Sequence, residues 1–450
     1  MSTLADRLRG IVQATRRPEE IAPRDSDHPS DLEHALGGSW HDGGQCFVVE
    51  RRVASDRHHG GAQVGVLASQ VQRAGEDAEL VGILTGGTSA PAPFLFFDLE
   101  TTGLSGGAGT HAFLVGCGWF DAEGAFVTRQ HLLTGYAVER RMLERVAAEF
   151  RGAGAIVSFN GKSFDAPLLD TRYLFHRLDW TGARLPHVDA LHPSRRFWGQ
   201  SPTGPRESCS LASLEEEILG VRRTHDVPGF EIPARYFHFV RSGDAGPLTV
   251  VLEHNRLDLL SLAGLFARLL DLVREGATAA RSAWEALALG RTYARAGLEA
   301  QARAALERAV DFGGHARSGG AVTPRVEALR ALAMLLRRAR RHDEAAACWQ
   351  RLLEVGSCPP AFAREANEAL AIHHEHRVRD LGAAKMFAVR SLAEGRDARN
   401  ETGWNDAVRH RLQRIERKMA KPAPTGRPLF PSWSLPPSSG FRRSAPRTSS

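Results

Sequence analysis

The chain has no apolar run that approaches the ~20 residues a membrane-spanning helix needs. Its N-terminal stretch mixes acids and bases around no apolar centre, which is unlike a secretory signal. Cysteine is scarce, with five residues far apart and no Cys-x-x-Cys pair. This scarcity disfavours a disulfide framework and a thiolate zinc site. We therefore expect a cytoplasmic protein with no membrane partner.

Acidic residues are missing from the end of the chain, which is rich in Pro, Ser and Arg. Residues 419–450 are therefore predicted to form a disordered basic tail. The tail holds part of the basic excess that gives the 450 residues a net charge of +6 and a pI of about 9.3. A basic surface suits nucleic acid as a partner. Because the excess is partly local, it favours such a partner only slightly.

Apolar runs and helical spacing divide the rest of the chain. Residues 1–90 are predicted to be a partly ordered lead-in with one strand candidate at 45–51. In 91–275, short apolar runs alternate with helical patterns. The predicted strands and helices there lie at 94–98, 112–120, 125–133, 138–150, 155–159, 164–178 and 186–191. Three antiparallel strands followed by β-α-β units predict an α/β mixed sheet flanked by helices.

Residues 282–418 carry no strand pattern, and we expect an all-α domain there. Large and small apolar residues recur at equivalent positions, of which Leu289, Leu332 and Leu370 are examples. Their spacing is longer than the usual ~34 residues of a tetratricopeptide repeat, so the linkers must be long. The segment is predicted to form tetratricopeptide-like helical repeats, whose groove offers a site for a protein partner.

Residues 96–104 (FFDLETTGL) place two acids at the end of a predicted buried strand. Side chains i and i+2 of a strand share a face, so Asp98 and Glu100 point the same way. Buried carboxylates stay ionised only beside a compensating positive charge. A divalent cation with oxygen ligands balances both. A lone Asp-x-Glu is more often a turn cap beside a solvated acid, so further acids are needed.

Two later clusters supply those acids. Asn160 ends the fourth predicted strand, and Asp165 lies in the first turn of the next helix. His254 and Asp258 are i and i+4 on a predicted helix and share one face. Taken singly, Asp165 is an ordinary N-terminal helix acid, and the His–Asp pair is an ordinary surface hydrogen bond. Together the clusters supply four carboxylates in the order strand, helix start and late helix.

This ensemble resembles the DEDD exonuclease superfamily of the ribonuclease H-like fold. The three motifs that carry the resemblance lie in the family's order at residues 97–104, 160–165 and 254–258. Further details look most like the YprB-type branch, and they lie at residues 104–107, 187–189 and 195–198. In that branch a tetratricopeptide region can follow the nuclease-like domain.

The resemblance implies a metal-dependent 3′→5′ exonuclease that hydrolyses phosphodiester bonds of DNA or RNA, acting on a single-stranded end. It implies a two-metal mechanism with Mg²⁺ or Mn²⁺. The implied metal ligands are Asp98, Glu100, Asp165 and Asp258. His254 would take the proton from the attacking water, since histidine titrates near neutral pH. The residues expected to bind substrate are Leu99, Thr101, Thr102, Asn160 and Lys162.

Two questions about function stay open at this stage. Family members with a catalytic His usually have four residues between it and the last Asp, whereas three residues separate His254 from Asp258. Members with three residues there usually have Tyr, so the general base is not settled. The competing function is a nucleic-acid-binding, partner-recruiting protein with a weakly active or inactive nuclease-like domain. DNA and RNA are not distinguished, because no motif reports contacts to a 2′-hydroxyl.

Several smaller motifs have two interpretations each. Lys162 either meets a substrate phosphate or is solvated, and Asp189 either supports a metal or caps a turn. Residues 195–198 (RRFW) suit phosphate contact and base stacking or packing on a core Trp. Residues 373–376 (HHEH) form either a metal site or, more often, a solvated helix face. The glycine-rich residues 104–110 form a flap over the acids or a plain hairpin connection.

Overall fold

The computed structural model describes residues 29–103, 109–201, 204–206, 208–224, 226–312, 324–356, 358–393 and 402–420. Two predictions lie largely outside these residues, namely the tail at 419–450 and the glycine-rich flap at 104–110. The described chain divides into two compact units, 1–341 and 342–450.

The first unit contains all the strands. They are β1 (Ser39–His41), β2 (Cys46–Val53), β3 (His58–His59), β4 (Ala62–Gln63), β5 (Phe94–Thr101), β6 (Ala112–Phe120), β7 (Phe126–Leu132), β8 (Ala155–Ser158), β9 (His187–Asp189), β10 (Gln200–Ser201) and β11 (Gly204–Pro205) among the described residues. Its α-helices are α1 (Pro29–Leu36), α2 (Val64–Gly75), α3 (Ala78–Thr85), α4 (Glu139–Arg151), α5 (Asp165–Phe175), α6 (Leu191–Trp198), α7 (Leu211–Leu214), α8 (Ile232–Ser242), α9 (Thr249–Glu275), α10 (Ala283–Arg295), α11 (Glu299–Phe312) and α12 (Pro324–Arg338). A π-helical stretch, Glu215–Leu219, follows α7.

Seven of these strands form one mixed sheet in the order β1-β2-β7-β6-β5-β8-β9. The neighbours from β1 to β5 pair antiparallel, whereas β8 and β9 continue the sheet parallel to β5. The prediction of a mixed sheet flanked by helices is confirmed, and the strands predicted from residue 94 to residue 191 are those from β5 to β9.

Residues 39–85 belong to this sheet domain, although the sequence placed them in a separate lead-in. β2 pairs with β7 from Phe47 opposite Leu132 to Val53 opposite Phe126. Helices α2 and α3 bury apolar side chains in the same core as β5. The prediction missed this because only the first half of β2 is buried, while its charged second half is exposed.

The two faces of β5 pack against two different cores, and this determines which side of the sheet carries Asp98. Successive side chains of a strand point to opposite faces. Phe94 and Phe96 therefore join a core with α2, α3 and α9, whereas Leu95 and Phe97 join a core with α4, α5 and α8. Continuing this alternation puts Asp98 on the side of Phe96, which is the side that α9 covers.

Helix α9 crosses that face with most of its 27 residues buried. The ring of Phe266 lies 5.1 Å from that of Phe94 and 5.9 Å from that of Phe96. Close approach depends on Gly116 of β6, because a Cβ there would lie 2.2 Å from Asn255 Oδ1. The glycine thus lets a polar residue of α9 reach the sheet.

Helices α10 to α12 belong to the first unit, although the sequence assigned them to the repeat domain beginning at 282. The Tyr293 hydroxyl donates to the carbonyl of Val273 at 2.7 Å, and Arg268 forms a 3.0 Å ion pair with Glu285. Buried residues of α10 and α11 also join the core beneath α9. The helices are therefore continuous with the sheet domain in their packing.

The second unit is helical throughout its described part, which agrees with the predicted all-α character. Its α-helices are α13 (His342–Leu353), α14 (Pro360–His373), α15 (Leu381–Ala393) and α16 (Thr402–Met419). After α14, the buried Glu375 accepts hydrogen bonds from Arg414 and Lys418, both at 2.7 Å at their shortest. Glu375 therefore ties the π-helical stretch His374–Val378 to α16 through an ion-pair cluster, and this acid is not solvated.

No helix among the residues described is both long and apolar enough to cross a membrane. The five cysteines, all of which lie among the described residues, form no disulfide.

We predict that Gly116→Ala lowers the free energy of unfolding by about 1–3 kcal/mol, because the new methyl group must displace Asn255 or α9. Gly135→Ala is the matched control, since no atom lies within 4 Å of an added Cβ there. It should change the stability by no more than about 0.5 kcal/mol. Urea unfolding of both variants is the measurement. Equal midpoints would show that α9 does not depend on this glycine.

Candidate functional site

Asn255 joins three strands at one row of the sheet. Gln130 of β7, Gly116 of β6 and Asp98 of β5 lie side by side, and residues directly opposite each other face the same way. Asn255 of α9 sits above the glycine. Its Nδ2 donates to Asp98 Oδ2 at 2.8 Å, and its Oδ1 accepts from Gln130 Nε2 at 2.9 Å. The amide is fully buried, so Asp98 is held by a rigid neutral donor.

Helix α9 also brings a histidine and an acid to the same place. His254 Nε2 lies 3.5 Å from Asp258 Oδ2 and 4.0 Å from Glu100 Oε1. The i, i+4 spacing puts the first pair on one helical face, and the β5 alternation brings Glu100 to that face. Three predicted residues from two separate motifs therefore meet.

A buried arginine lies behind Asp258. Arg223 donates to Asp258 Oδ1 and to both oxygens of Glu215. It also donates to Asp226 Oδ2 at 3.1 Å. Arg223 and Glu215 are almost completely buried, so their pairing compensates for the loss of water around each charge.

Asp165 begins α5 beside a turn that Asp189 organises. Asp189 Oδ1 accepts from the Asn160 amide at 2.7 Å, and Oδ2 accepts from the Lys162 amide at 3.1 Å. Asn160 adopts a positive φ of 67° in this turn. Of the two interpretations of Asp189, the capping role is the one the contacts show. Gly161 keeps the turn tight, since a Cβ there would lie 2.9 Å from Asp165 Oδ2.

The four predicted carboxylates lie close enough to repel one another. Burial, and then the charges of Asp258 and Glu100, raise the pKa of Asp98 well above its usual range. Burial, and then Asp258 and Asp165, likewise raise the pKa of Glu100. Burial and the charge of Asp189 raise the pKa of Asp165 to about 7. The structure therefore brings together Asp98, Glu100, Asp165, Asp258 and His254.

This cluster has the chemistry to hold a hard cation. Its donors are carboxylate oxygens, which Mg²⁺ and Mn²⁺ prefer, and a divalent charge would remove the repulsion that raises these pKa values. As the side chains stand, no three His, Cys, Asp or Glu side chains in the described residues form a ready metal-binding group. Closing the coordination therefore requires side-chain rotation, most directly of Asp258 away from Arg223.

The predicted substrate residues fall into two groups. Leu99 is buried in β5, and the Thr102 amide already donates to the His111 carbonyl at 3.0 Å. Thr101 donates its hydroxyl to the Gly103 carbonyl at 3.0 Å. Asn160 and Lys162 lie in the turn beside Asp165, and the Lys162 side chain is exposed. The turn is therefore better placed than the strand to offer free polar groups.

Residues 195–198 lie apart from this cluster. Phe197 and Trp198 are buried in the core, and Trp198 Nε1 donates to Glu285 Oε1 at 2.8 Å. Packing is thus the role of these aromatic side chains, and base stacking by them is excluded.

Sequence reasoning missed the supporting residues of the site. They are Gln130, Glu215, Arg223, Asp226 and Asn255. Only Asn255 could have been noticed in the sequence, because it is a polar residue on the apolar face of α9, between Leu252 and Leu259. The others reach the site only through the path of the folded chain, which no local spacing reports.

Without a divalent cation, Asp165→Asn should stabilise the protein increasingly from pH 5 to pH 8. The folded pKa near 7 lies above the ordinary 3.8, so the wild-type carboxyl loses stability as pH rises through this window. Added Mn²⁺ should reverse the order by stabilising the wild type more. The measurement is the calorimetric unfolding temperature in EDTA and in Mn²⁺. Asp170→Asn, an exposed acid on the same helix, is the control, and identical behaviour of the two variants would contradict the cluster.

Comparisons with known proteins agree with this architecture. A family model described as RNase H superfamily matches residues 95–270. The protein YprB of Bacillus subtilis (strain 168) is 31% identical over 330 residues, covering 72% of this chain and 74% of YprB. The expected ribonuclease H-like fold and YprB-type branch are thereby confirmed, and such a nuclease-like fold implies nucleic-acid binding. The chain belongs to the YprB family of the RNase H superfamily.

Proposed function

We propose that this protein is a metal-dependent 3′→5′ exonuclease of the DEDD type that degrades DNA or RNA. The observation that carries the proposal is the meeting of four carboxylates, from the end of β5, the start of α5 and the middle of α9, with His254 facing them. Acids whose pKa values are strongly perturbed by burial and by one another are candidates for a functional site.

In this proposal each side chain has a separate task. Asp98, Glu100, Asp165 and Asp258 hold two divalent cations, Mg²⁺ or Mn²⁺. When bound, the cations supply Lewis-acid stabilisation of the attacking and leaving oxygens. Asn255 keeps Asp98 oriented. His254 accepts a proton at Nε2, the ring nitrogen that faces the carboxylates.

The turn at 160–162 is proposed to receive the substrate. Lys162 extends into solvent beside Asp165, where an ammonium group can meet a backbone phosphate. Its amide is already bound by Asp189, so the side chain, not the backbone, makes this contact. The proposed substrate is a single-stranded end, as the family resemblance implies.

We further propose that residues 282–418 form tetratricopeptide-like repeats that recruit a protein partner. Support comes from Gly290 of α10, where a Cβ would lie 2.6 Å from Leu306 Cγ of α11. Such close pairing of two helices at a small residue is typical of these repeats. A location in the reducing cytoplasm is also part of this proposal.

A second candidate function is nucleic-acid binding without turnover. One observation favours it, because Arg223 already neutralises Asp258 and leaves no ready metal-binding group in the described chain. In that case the site grips a nucleic acid while the helices hold a partner.

A nuclease panel separates the two functions. Labelled single- and double-stranded DNA and RNA are incubated with the full chain in Mg²⁺, Mn²⁺ or EDTA. We expect stepwise shortening from the 3′ end in either metal and none in EDTA. Asp98→Asn should slow it by about 10²-fold or more, and Asp170→Asn should not change it. Binding without shortening would support the second function, and cleavage that survives both EDTA and Asp98→Asn would contradict the site.

A further inference from the structure

Asp226 is a carboxylate of the site that the exonuclease mechanism has not used. It lies in the segment between the π-helical stretch and α8, far from any of the three sequence motifs. Its Oδ1 accepts a hydrogen bond from His254 Nδ1 at 2.7 Å. It also accepts from the Val227 amide at 2.9 Å, which fixes the carboxylate relative to its own backbone.

This contact determines which nitrogen of His254 carries the proton. A carboxylate at 2.7 Å can only accept, so Nδ1 must carry a hydrogen. The other neighbour of Nδ1 is Arg223 Nη1 at 3.4 Å, which can only donate and cannot stand in for the acceptor. In the neutral ring Nε2 is then left with a lone pair. That atom is the one that faces Asp258 and Glu100.

The carboxylate of Asp226 is itself held in place. Arg223 donates to its Oδ2 at 3.1 Å and, on its other side, to Asp258 Oδ1. Arg223 Nε donates to Glu215 Oε2 at 2.8 Å, and both of these side chains are buried. The buried guanidinium of Arg223 therefore contacts both Asp226, on the Nδ1 side of His254, and Asp258, on its Nε2 side.

We propose that Asp226 is a positioning residue that fixes the tautomer of His254 and aims its Nε2 at the carboxylate cluster, with Arg223 holding the Asp226 carboxylate in place. This inference rests on the proposed exonuclease function. It also accounts for the short spacing of the third motif. With three intervening residues, His254 shares a helical face with Asp258, and a carboxylate from a separate segment orients it there.

A merely structural role for Asp226 would be to pin its own backbone to α9. That role predicts lower stability but no specific change at the histidine ring. The positioning role predicts a changed tautomer and a loss of kcat with little change in KM. The two roles therefore differ in what is measured.

The experiment compares the full-chain Asp226→Asn variant with Asp244→Asn. Asp244 forms the matched control pair, with its Oδ2 3.5 Å from His238 Nε2, but both side chains are largely exposed. Asp226→Asn should lower kcat for a single-stranded oligonucleotide by about 10²–10⁴-fold. KM should stay within about threefold, because the acid binds no substrate. Asp226→Glu, which keeps the carboxylate, should recover part of kcat, and Asp244→Asn should match the wild type.

Two further readouts test the link to the histidine. The double variant Asp226→Asn, His254→Ala should be no slower than His254→Ala alone, because both changes remove the same function. Nitrogen NMR of the histidine-labelled full chain in EDTA at pH 8 should show the Nδ1–H tautomer at His254, identified by its absence in His254→Ala. Asp226→Asn should shift that resonance toward the Nε2–H tautomer.

Three outcomes would overturn the inference: kcat of Asp226→Asn within twofold of the wild type, additive losses in the double variant, or an unchanged tautomer. If the wild type degrades no substrate, the exonuclease proposal fails by itself. The tautomer of His254 then still decides whether Asp226 orients the ring.

Discussion

The mutual repulsion of four half-buried carboxylates is the constraint on which the rest of this structure depends. Asp98 and Glu100 are forced to the α9 side of the sheet by the alternation of β5, because the phenylalanines before them must enter that core. Asp165 and Asp258 arrive from two helices. Placing like charges together in a low dielectric is unfavourable, so the arrangement persists only because the surrounding packing fixes it.

Two supports, one neutral and one charged, hold this arrangement. On the sheet side, the buried amide of Asn255 bridges Gln130 and Asp98 across the gap that Gly116 leaves. On the outer side, Arg223 and Glu215 form a buried ion pair that reaches Asp258. The first support orients an acid without changing the net charge, whereas the second lowers the local negative potential. Arg223 compensates only part of the negative charge of the four acids, and divalent cations would compensate the rest. The same geometry therefore suits either catalysis or binding.

The sequence predicted the parts of this account that depend on local pattern. Strand alternation placed Asp98 and Glu100 on one face, and helical spacing placed His254 beside Asp258. It did not predict that β1 and β2 join the sheet, since half of β2 is charged and exposed. Nor did it find Arg223 or Asp226, whose contacts lie 35 and 28 residues away along the chain. Such contacts depend on the path of an irregular segment, which no periodicity reports. The helices from 283 to 338 were predicted to form a separate domain, because the strand pattern of the sequence stops before them. In the structure, buried residues of these helices pack in the same core as α9.

The most direct test of the central claim is anomalous diffraction from crystals of the full chain grown with Mn²⁺. If the four acids form a site for divalent cations, two anomalous peaks will lie among Asp98, Glu100, Asp165 and Asp258, with Asp258 rotated away from Arg223. Crystals that bind Mn²⁺ only elsewhere, or that show no peak among the four carboxylates and Asp258 still paired with Arg223 at saturating Mn²⁺, would contradict it.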